Sequence, residues 1–239
     1  MTPDKPTLSF IIPAHNEQAL LGPAIASIHA AADGLGESYQ VIVVDDHSTD
    51  ATPTIAREQG AEVVTVELRH IAAVRNAGAM VARGDWLVCL DADTRLDRDG
   101  LQAMNEARQR GCIAGGAVVR FDGDVPWAVR LSMVGWNLTS RVCRWAAGCF
   151  VFTTREAFDA AGGFDERFYA SEEIHLSAAL KRQGRFTILS TPVTTSARKF
   201  ETWSLWSYIK LALLSVLTFG HVLKNRDRLQ QWYGKQREL

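Results

Sequence analysis

Along the first half of the chain, short apolar runs alternate with helical patterns. Leu8-Ser9-Phe10-Ile11-Ile12, closed by Pro13, reads as a buried strand. Residues 17–32 then carry Leu20, Leu21, Ile25 and Ile28 at helical spacing. Gln40-Val41-Ile42-Val43-Val44 is a second, β-branched strand ending in Asp45-Asp46. Ser48 or Asp50 is placed to cap the next helix, with Pro53 in its first turn. A third strand is expected over 61–66, an Ala-rich helix over 71–82 and a fourth strand over 85–90, followed by Asp91-Ala92-Asp93. Strands that are apolar throughout and separated by helices predict a mostly parallel sheet covered on both faces.

The second half is less regular. A strand is expected over 113–121, an amphipathic stretch over 127–145 and a further strand over 148–152. Thr153-Thr154-Arg155-Glu156 fits a capping box, opening a helix that stops at Gly162-Gly163. Another helix is expected from Ser171-Glu172-Glu173 to about Arg182. No repeat or Pro/Gly/Ser-rich linker divides the chain, so one α/β domain with a C-terminal appendage is predicted.

In a parallel α/β sheet, ligands bind beyond the carboxyl ends of the strands. The polar residues there come from three strands: His15-Asn16-Glu17, Asp45-Asp46 and Asp91-Ala92-Asp93. Two carboxylates one residue apart suit Mg²⁺ or Mn²⁺, which keep phosphate oxygens and water in their shells; the plainer alternative is that Asp93 or Thr94 caps a helix. Asp45 or Asp46 can accept hydrogen bonds from a base or a ribose, or cap a turn. Arg75 can meet phosphates or lie solvated on its helix. Glu172 and Glu173 either answer the helix dipole or supply a general base, and their directions differ by about 100°, so only one is expected to face a site.

Composition narrows the class. Hydrophobic residues make up 47% of the 239 and charged residues 22%, which excludes disorder. A formal net charge of −1 excludes the basic footprint of a nucleic-acid binder. Residues 198–239 nevertheless carry eight Lys/Arg against three Asp/Glu. The cysteines (Cys89, Cys112, Cys143, Cys149) form no CxxC, and Cys89 and Cys149 lie in apolar runs, so a reducing, cytoplasmic setting is expected. The run over 8–14 is too brief for a signal-peptide core. The sequon Asn137-Leu138-Thr139 is then a chance match.

Taken in order, these motifs resemble a family 2 glycosyltransferase of the GT-A fold. The matching residues are Ile11 to Glu17, Val43 to Asp50, Arg75-Asn76, Ala82 to Asp85, Leu90 to Thr94, Gly162 to Glu166 and Ser171 to Glu173. The resemblance implies a GT-A, Rossmann-like domain over 1–197, with a nucleotide-binding half (about 7–94) and an acceptor half (about 95–197). It implies that Pro13, His15, Glu17, Asp45, Asp46, Arg75 and Asp91 hold the nucleotide of a sugar donor, a UDP-sugar by default. Asp93, with Asp91, would hold Mn²⁺ or Mg²⁺, and Glu173 matches the catalytic base of an inverting transfer. Two departures stand out: Glu172-Glu173 replaces the usual Glu-Asp, and His47 takes the glycine position of Asp-Asp-Gly-Ser. The Glu-Glu pair leaves open a nucleotide-sugar-binding protein without catalysis. A nucleotidyltransferase is the other alternative, against which stands the missing basic glycine-rich loop after the first strand.

The acceptor remains open between a saccharide and a lipid-linked molecule. Trp127, Trp136 and Trp145 are candidates to stack on sugar, or ordinary core. The tract 203–223 is apolar apart from Lys210 and is flanked by Arg198, Lys199, Lys224, Arg226 and Arg228. It reads as an apolar helix, suited to an anionic membrane surface at the inner face, to a homodimer interface or to packing on the domain; spanning a bilayer is disfavoured by the central Lys210.

Overall fold

The structure is a computed structural model and describes residues 5–123 and 125–198. Of the helical appendage expected over 198–239, all but Arg198, and with it the apolar tract, lies outside the described residues.

Strands β1 (Leu8–Ala14), β2 (Tyr39–Asp46), β3 (Glu62–Val66) and β4 (Trp86–Leu90) alternate with helices α1 (Leu21–Asp33), α2 (Thr52–Glu58) and α3 (Ile71–Val81). They are followed by β5 (Thr94–Arg95), α4 (Arg98–Gln109), β6 (Ala114–Phe121), α5 (Trp127–Cys143), β7 (Phe150–Thr154), α6 (Arg155–Ala161), α7 (Glu172–Gln183) and β8 (Phe186–Thr195). The described strands form one sheet in the order β3-β2-β1-β4-β7-β6-β8-β5. Pairs β1–β2, β1–β4, β2–β3 and β6–β8 are parallel. Pairs β4–β7, β6–β7 and β5–β8 are antiparallel.

The period of two along each strand sorts the core into two layers. Phe10, Ile12, Val41, Val43, Val88, Leu90, Phe150 and Phe152 pack on one face with Ile25, Ile28, Leu101 and Met104 of α1 and α4. Ile11, Ile42, Val44, Leu87, Cys89 and Val151 face the other way, onto Ala72 and Val74 of α3, Phe158 of α6, and Leu176 and Leu180 of α7. Both faces are therefore covered, as the unbroken apolar strands require.

Close packing of α3 matters for the site. A Cβ on Gly78 would come within 2.4 Å of Ile11 Cγ2 and 2.8 Å of Val44 Cγ2. Only glycine lets the helix sit this near β1 and β2. Arg75, less than one turn earlier, is thereby delivered to the carboxyl end of the sheet. Helix α6 is capped by Thr154, whose hydroxyl accepts from the Ala157 N–H at 3.2 Å, and ends at left-handed Gly162. The cap is one residue later than the predicted box. Strands β5 and β8 have no counterpart in the predicted elements. The former is two residues long, and the latter contains Pro192 where its ladder with β6 shifts register between Ala117 and Val119.

All four cysteines are free, Cys89 and Cys112 buried and Cys143 and Cys149 half-buried. Asn137 spends its side-chain amide on Val119, donating to its carbonyl at 2.9 Å and accepting from its N–H at 3.0 Å.

Candidate active site at the strand ends

Left-handed residues mark the chain reversals around the site: Asn16 after β1, His47 after β2, Arg69 before α3 and Ser171 before α7, at φ between 49° and 63°. Each turns a polar segment back over the carboxyl ends of the strands. His47 is an exposed turn residue at φ 58°, a backbone state that glycine adopts at lower cost.

The donor-side residues are pinned by one another. Asp45 is buried at the end of β2, and its carboxylate accepts from the Ser48 N–H at 3.3 Å. The Asp46 carboxylate accepts from the N–H groups of Leu68 and Arg69, at 2.7 and 3.1 Å, so one of its oxygens shapes the β3–α3 loop. His15 donates from Nδ1 to the Asp46 carbonyl at 2.9 Å, and its Nε2 accepts from the Arg69 guanidinium. That tautomer follows because arginine has no acceptor to offer. Pro13 is buried within β1.

Arg75 is the hub. It is 2% exposed, and it donates to Asp91 Oδ1 at 2.7 Å, to the Gly148 carbonyl at 2.8 Å and to Glu172 Oε1. Its guanidinium also lies 5.2 Å from the centroid of the Phe164 ring. Burial opposes its charge, but the carboxylates of Asp91 and Glu172 overcome this and hold it protonated more firmly than an ordinary arginine. One cation thus ties the Asp91-Ala92-Asp93 segment to the start of α7.

Both carboxylates at that start lie against this cluster. Glu172 is 3% exposed and paired with Arg75. Glu173 lies beside Gly148, where an added Cβ would meet the Glu173 carboxyl carbon at 3.4 Å and Arg75 Nη2 at 3.5 Å. Burial, reinforced by the Glu172 charge, pushes the Glu173 carboxyl up to about 8 despite Arg75. Asn76 fixes the neighbouring loop, donating to the Phe164 carbonyl and Glu166 at 2.9 and 2.8 Å and accepting from the Phe164 N–H at 2.9 Å.

Asp93 presents the features of a cation ligand. Its Oδ1 accepts from the Thr195 hydroxyl at 3.2 Å, while its buried Oδ2 has no hydrogen-bond partner. A buried carboxylate oxygen without a hydrogen bond is costly; the Arg198 guanidinium stands 3.8 Å from it, beyond hydrogen-bond reach, and a divalent ion would satisfy it. Asp91 is the second candidate ligand, with one oxygen committed to Arg75. Among the described residues no group of three or more His, Cys, Asp or Glu could hold a metal. An ion held by Asp93 and Asp91 would therefore have to complete its shell with phosphate oxygens and water.

Sequence reasoning did not place Arg198 here. It pairs with the buried Glu17 and reaches within 3.8 Å of Asp93 Oδ2. The described structure thus places Arg198, one of the basic residues flanking the apolar tract, against Glu17 and Asp93. No signal in the sequence links it to Glu17, because the strand that carries it there, β8, was itself not recognised.

The family model described as glycosyl transferase family 2 matches residues 9–162. The chain belongs to that family. Among curated relatives of this glycosyltransferase, undecaprenyl-phosphate 4-deoxy-4-formamido-L-arabinose transferase of Aeromonas hydrophila is 33% identical over 113 residues, covering 44% of this chain and 34% of that protein. Dodecaprenyl-phosphate galacturonate synthase of Rhizobium johnstonii is 32% identical over 126 residues, covering 48% and 37%. Each of these matches thus spans little more than a third of the relative's length. Among solved structures, the mannosyltransferase PcManGT of Pyrobaculum calidifontis, in complex with GDP-Man and Mn²⁺, aligns with a TM-score of 0.66 at 20% identity, over 99% of this chain and 70% of that one. S. aureus TarS 1–349 in complex with UDP-GlcNAc aligns with a TM-score of 0.65 at 16% identity, over 94% and 69%. These likenesses establish the GT-A, Rossmann-like fold of this family 2 member, and the family match favours glycosyl transfer over the nucleotidyltransferase reading.

Proposed function

We propose that this glycosyltransferase moves a sugar from a nucleotide-sugar donor, a UDP-sugar by default, to an oxygen of a lipid-linked acceptor, with inversion at the anomeric carbon. The observation that carries the reading is the Arg75 cluster, which joins the candidate diphosphate end, Asp91-Ala92-Asp93, to the candidate base segment, Glu172-Glu173. The lipid-linked acceptor is supported by the polyprenyl-phosphate substrates that the two curated relatives are named for.

Pro13, His15, Glu17, Asp45 and Asp46 surround the nucleotide end, and Arg75 fixes Asp91 toward the diphosphate. Asp93, with Asp91, would hold Mn²⁺ or Mg²⁺, which supplies charge neutralisation for the departing nucleoside diphosphate. Glu173 takes the proton of the attacking hydroxyl as the acceptor oxygen bonds to the anomeric carbon and the donor phosphate leaves from the opposite face. Glu172 stays on Arg75 and raises the basicity of its neighbour.

A carboxyl pushed up to about 8 is mostly protonated at neutral pH, so the rate with a hydroxyl acceptor rises with pH and levels off above that value. Glu173→Gln then lowers kcat by about 10²-fold or more, with nucleotide affinity unchanged. The same raised value favours a second reading, in which a lipid phosphate is itself the nucleophile and needs no base. Glu173 then donates a hydrogen bond to that phosphate. Glutamine retains a donor there, so a loss under about tenfold, with a flat rate above the phosphate's own ionisation near pH 6, selects this second reading.

A further inference from the structure

Helix α5 carries an apolar face that no described part of the chain covers. Seven large hydrophobic side chains are exposed among the described residues, and five of them lie on this one helix: Trp127 (78%), Leu131, Val134, Leu138 and Val142. Their spacing of three and four residues puts them within an arc of about 80° on the helix. The opposite side holds Val129 and Ser140, which are buried, and Met133 and Trp136, which pack on the core. The stripe is therefore surplus to the packing of the described residues, and a contiguous exposed apolar patch marks an interaction surface.

Charge identifies the occupant. No Asp or Glu occurs from Val125 to Arg155, whereas Arg130, Arg141 and Arg144 are exposed. Arg130 and Arg141 border the stripe on one side. A second copy seated on the same face would bring these cations against their equivalents. The tract 203–223 of this chain offers no anionic complement either, since it is flanked by basic residues. An anionic lipid surface matches both features: apolar side chains enter the acyl boundary while arginines meet the headgroups.

Position adds a second argument. The helix ends at Cys143, and the chain continues through left-handed Arg144 to Gly148, whose carbonyl accepts from Arg75 and where an added Cβ would lie 3.4 Å from the Glu173 carboxyl carbon. The Lys181 ammonium holds the helix's last carbonyl, that of Cys143, at 2.9 Å, anchoring it to α7. Near its other end, the Ala197 N–H donates to Asp122 at 3.1 Å.

We propose that the outer face of α5 is a docking surface for an anionic lipid bilayer, bringing the carboxyl end of the helix, and the site behind it, to a lipid-borne acceptor. The inference rests on the lipid-linked reading of the acceptor. Docking predicts that the purified full chain binds vesicles of phosphatidylcholine with phosphatidylglycerol, and binds vesicles of phosphatidylcholine alone more weakly. Leu131→Glu with Leu138→Glu lowers vesicle affinity at least about tenfold while UDP or GDP binding, which reports folding, persists. Arg141→Glu, which leaves the apolar stripe whole, weakens binding to the anionic vesicles only.

Wild-type protein that ignores both vesicles, or a double variant that binds as wild type does, overturns the proposal. A wild-type dimer split by the double variant overturns it in favour of a second copy. Because the vesicles contain no polyprenyl phosphate, they test docking alone. Transfer to polyprenyl phosphate in detergent tests the acceptor reading alone.

Discussion

The two halves of this glycosyltransferase solve the same task differently. In the first half, β1, β2 and β4 run parallel, and the β1–β2 register brings Ala14 level with Asp45 at the sheet's carboxyl edge. The candidate site residues there follow directly from where strands end. In the second half, the strands mix directions, and the candidate carboxylates sit at the start of a helix, α7. Their placement depends on left-handed Ser171, on the Gly148 turn and on a cation contributed by the first half. The first half carries a pre-formed rim. The second is assembled onto it through Arg75.

Removing Arg75 is the most severe way to break that connection. Arg75→Met leaves the buried Glu172 carboxylate without its partner and costs about 3–5 kcal/mol, read by urea denaturation, and transfer is lost with it. A cost under about 1 kcal/mol would mean that the halves are joined by packing alone.

Next in size is a pH effect on stability centred on Glu173. Its carboxyl, ordinarily near 4.5, is raised to about 8 in the folded chain. Below about 4.5 both folded and unfolded states hold the proton; between these values only the folded state does. Folding stability therefore falls as pH rises through this window. Denaturation midpoints across it, compared with Glu173→Gln, check the sign, and the variant shows the shallower fall.

The smallest effect belongs to the donor rim. His47 occupies a left-handed turn at φ 58°. His47→Gly relieves that strain but loosens the unfolded chain, so the expected gain is at most about 1 kcal/mol. A loss in the melting temperature would show that the His47 side chain itself holds the rim.

The contrast also explains what was legible in the sequence. Unbroken apolar runs such as Val41 to Val44 admit one reading, a strand buried on both faces, and the acids that close them fall at the carboxyl ends where ligands of such sheets bind. Arg75 and the Glu172-Glu173 pair were candidates by residue type, and the GT-A resemblance singled out Glu173 as the base by motif order. Strand β8 escaped because Pro192 interrupts its pattern, and with it went Arg198, whose pairing with Glu17 spans most of the described chain. Glu172 was visible as a helix-start acid, but its role as the partner of Arg75 is a tertiary fact. The stripe on α5 could be read as amphipathic, yet only the fold shows that its core side is already filled and that the exposed side is extra.

The central claim is that the strand ends form a metal-assisted nucleotide-sugar site anchored by Asp93, whose Oδ2 is buried without a hydrogen bond. Calorimetric binding of UDP and of GDP, each with Mn²⁺ and with EDTA, tests it in wild type and in Asp93→Asn. The account predicts that one nucleotide binds in Mn²⁺, and that EDTA or the substitution weakens it at least about tenfold. Equal affinity with EDTA and in Asp93→Asn would contradict it.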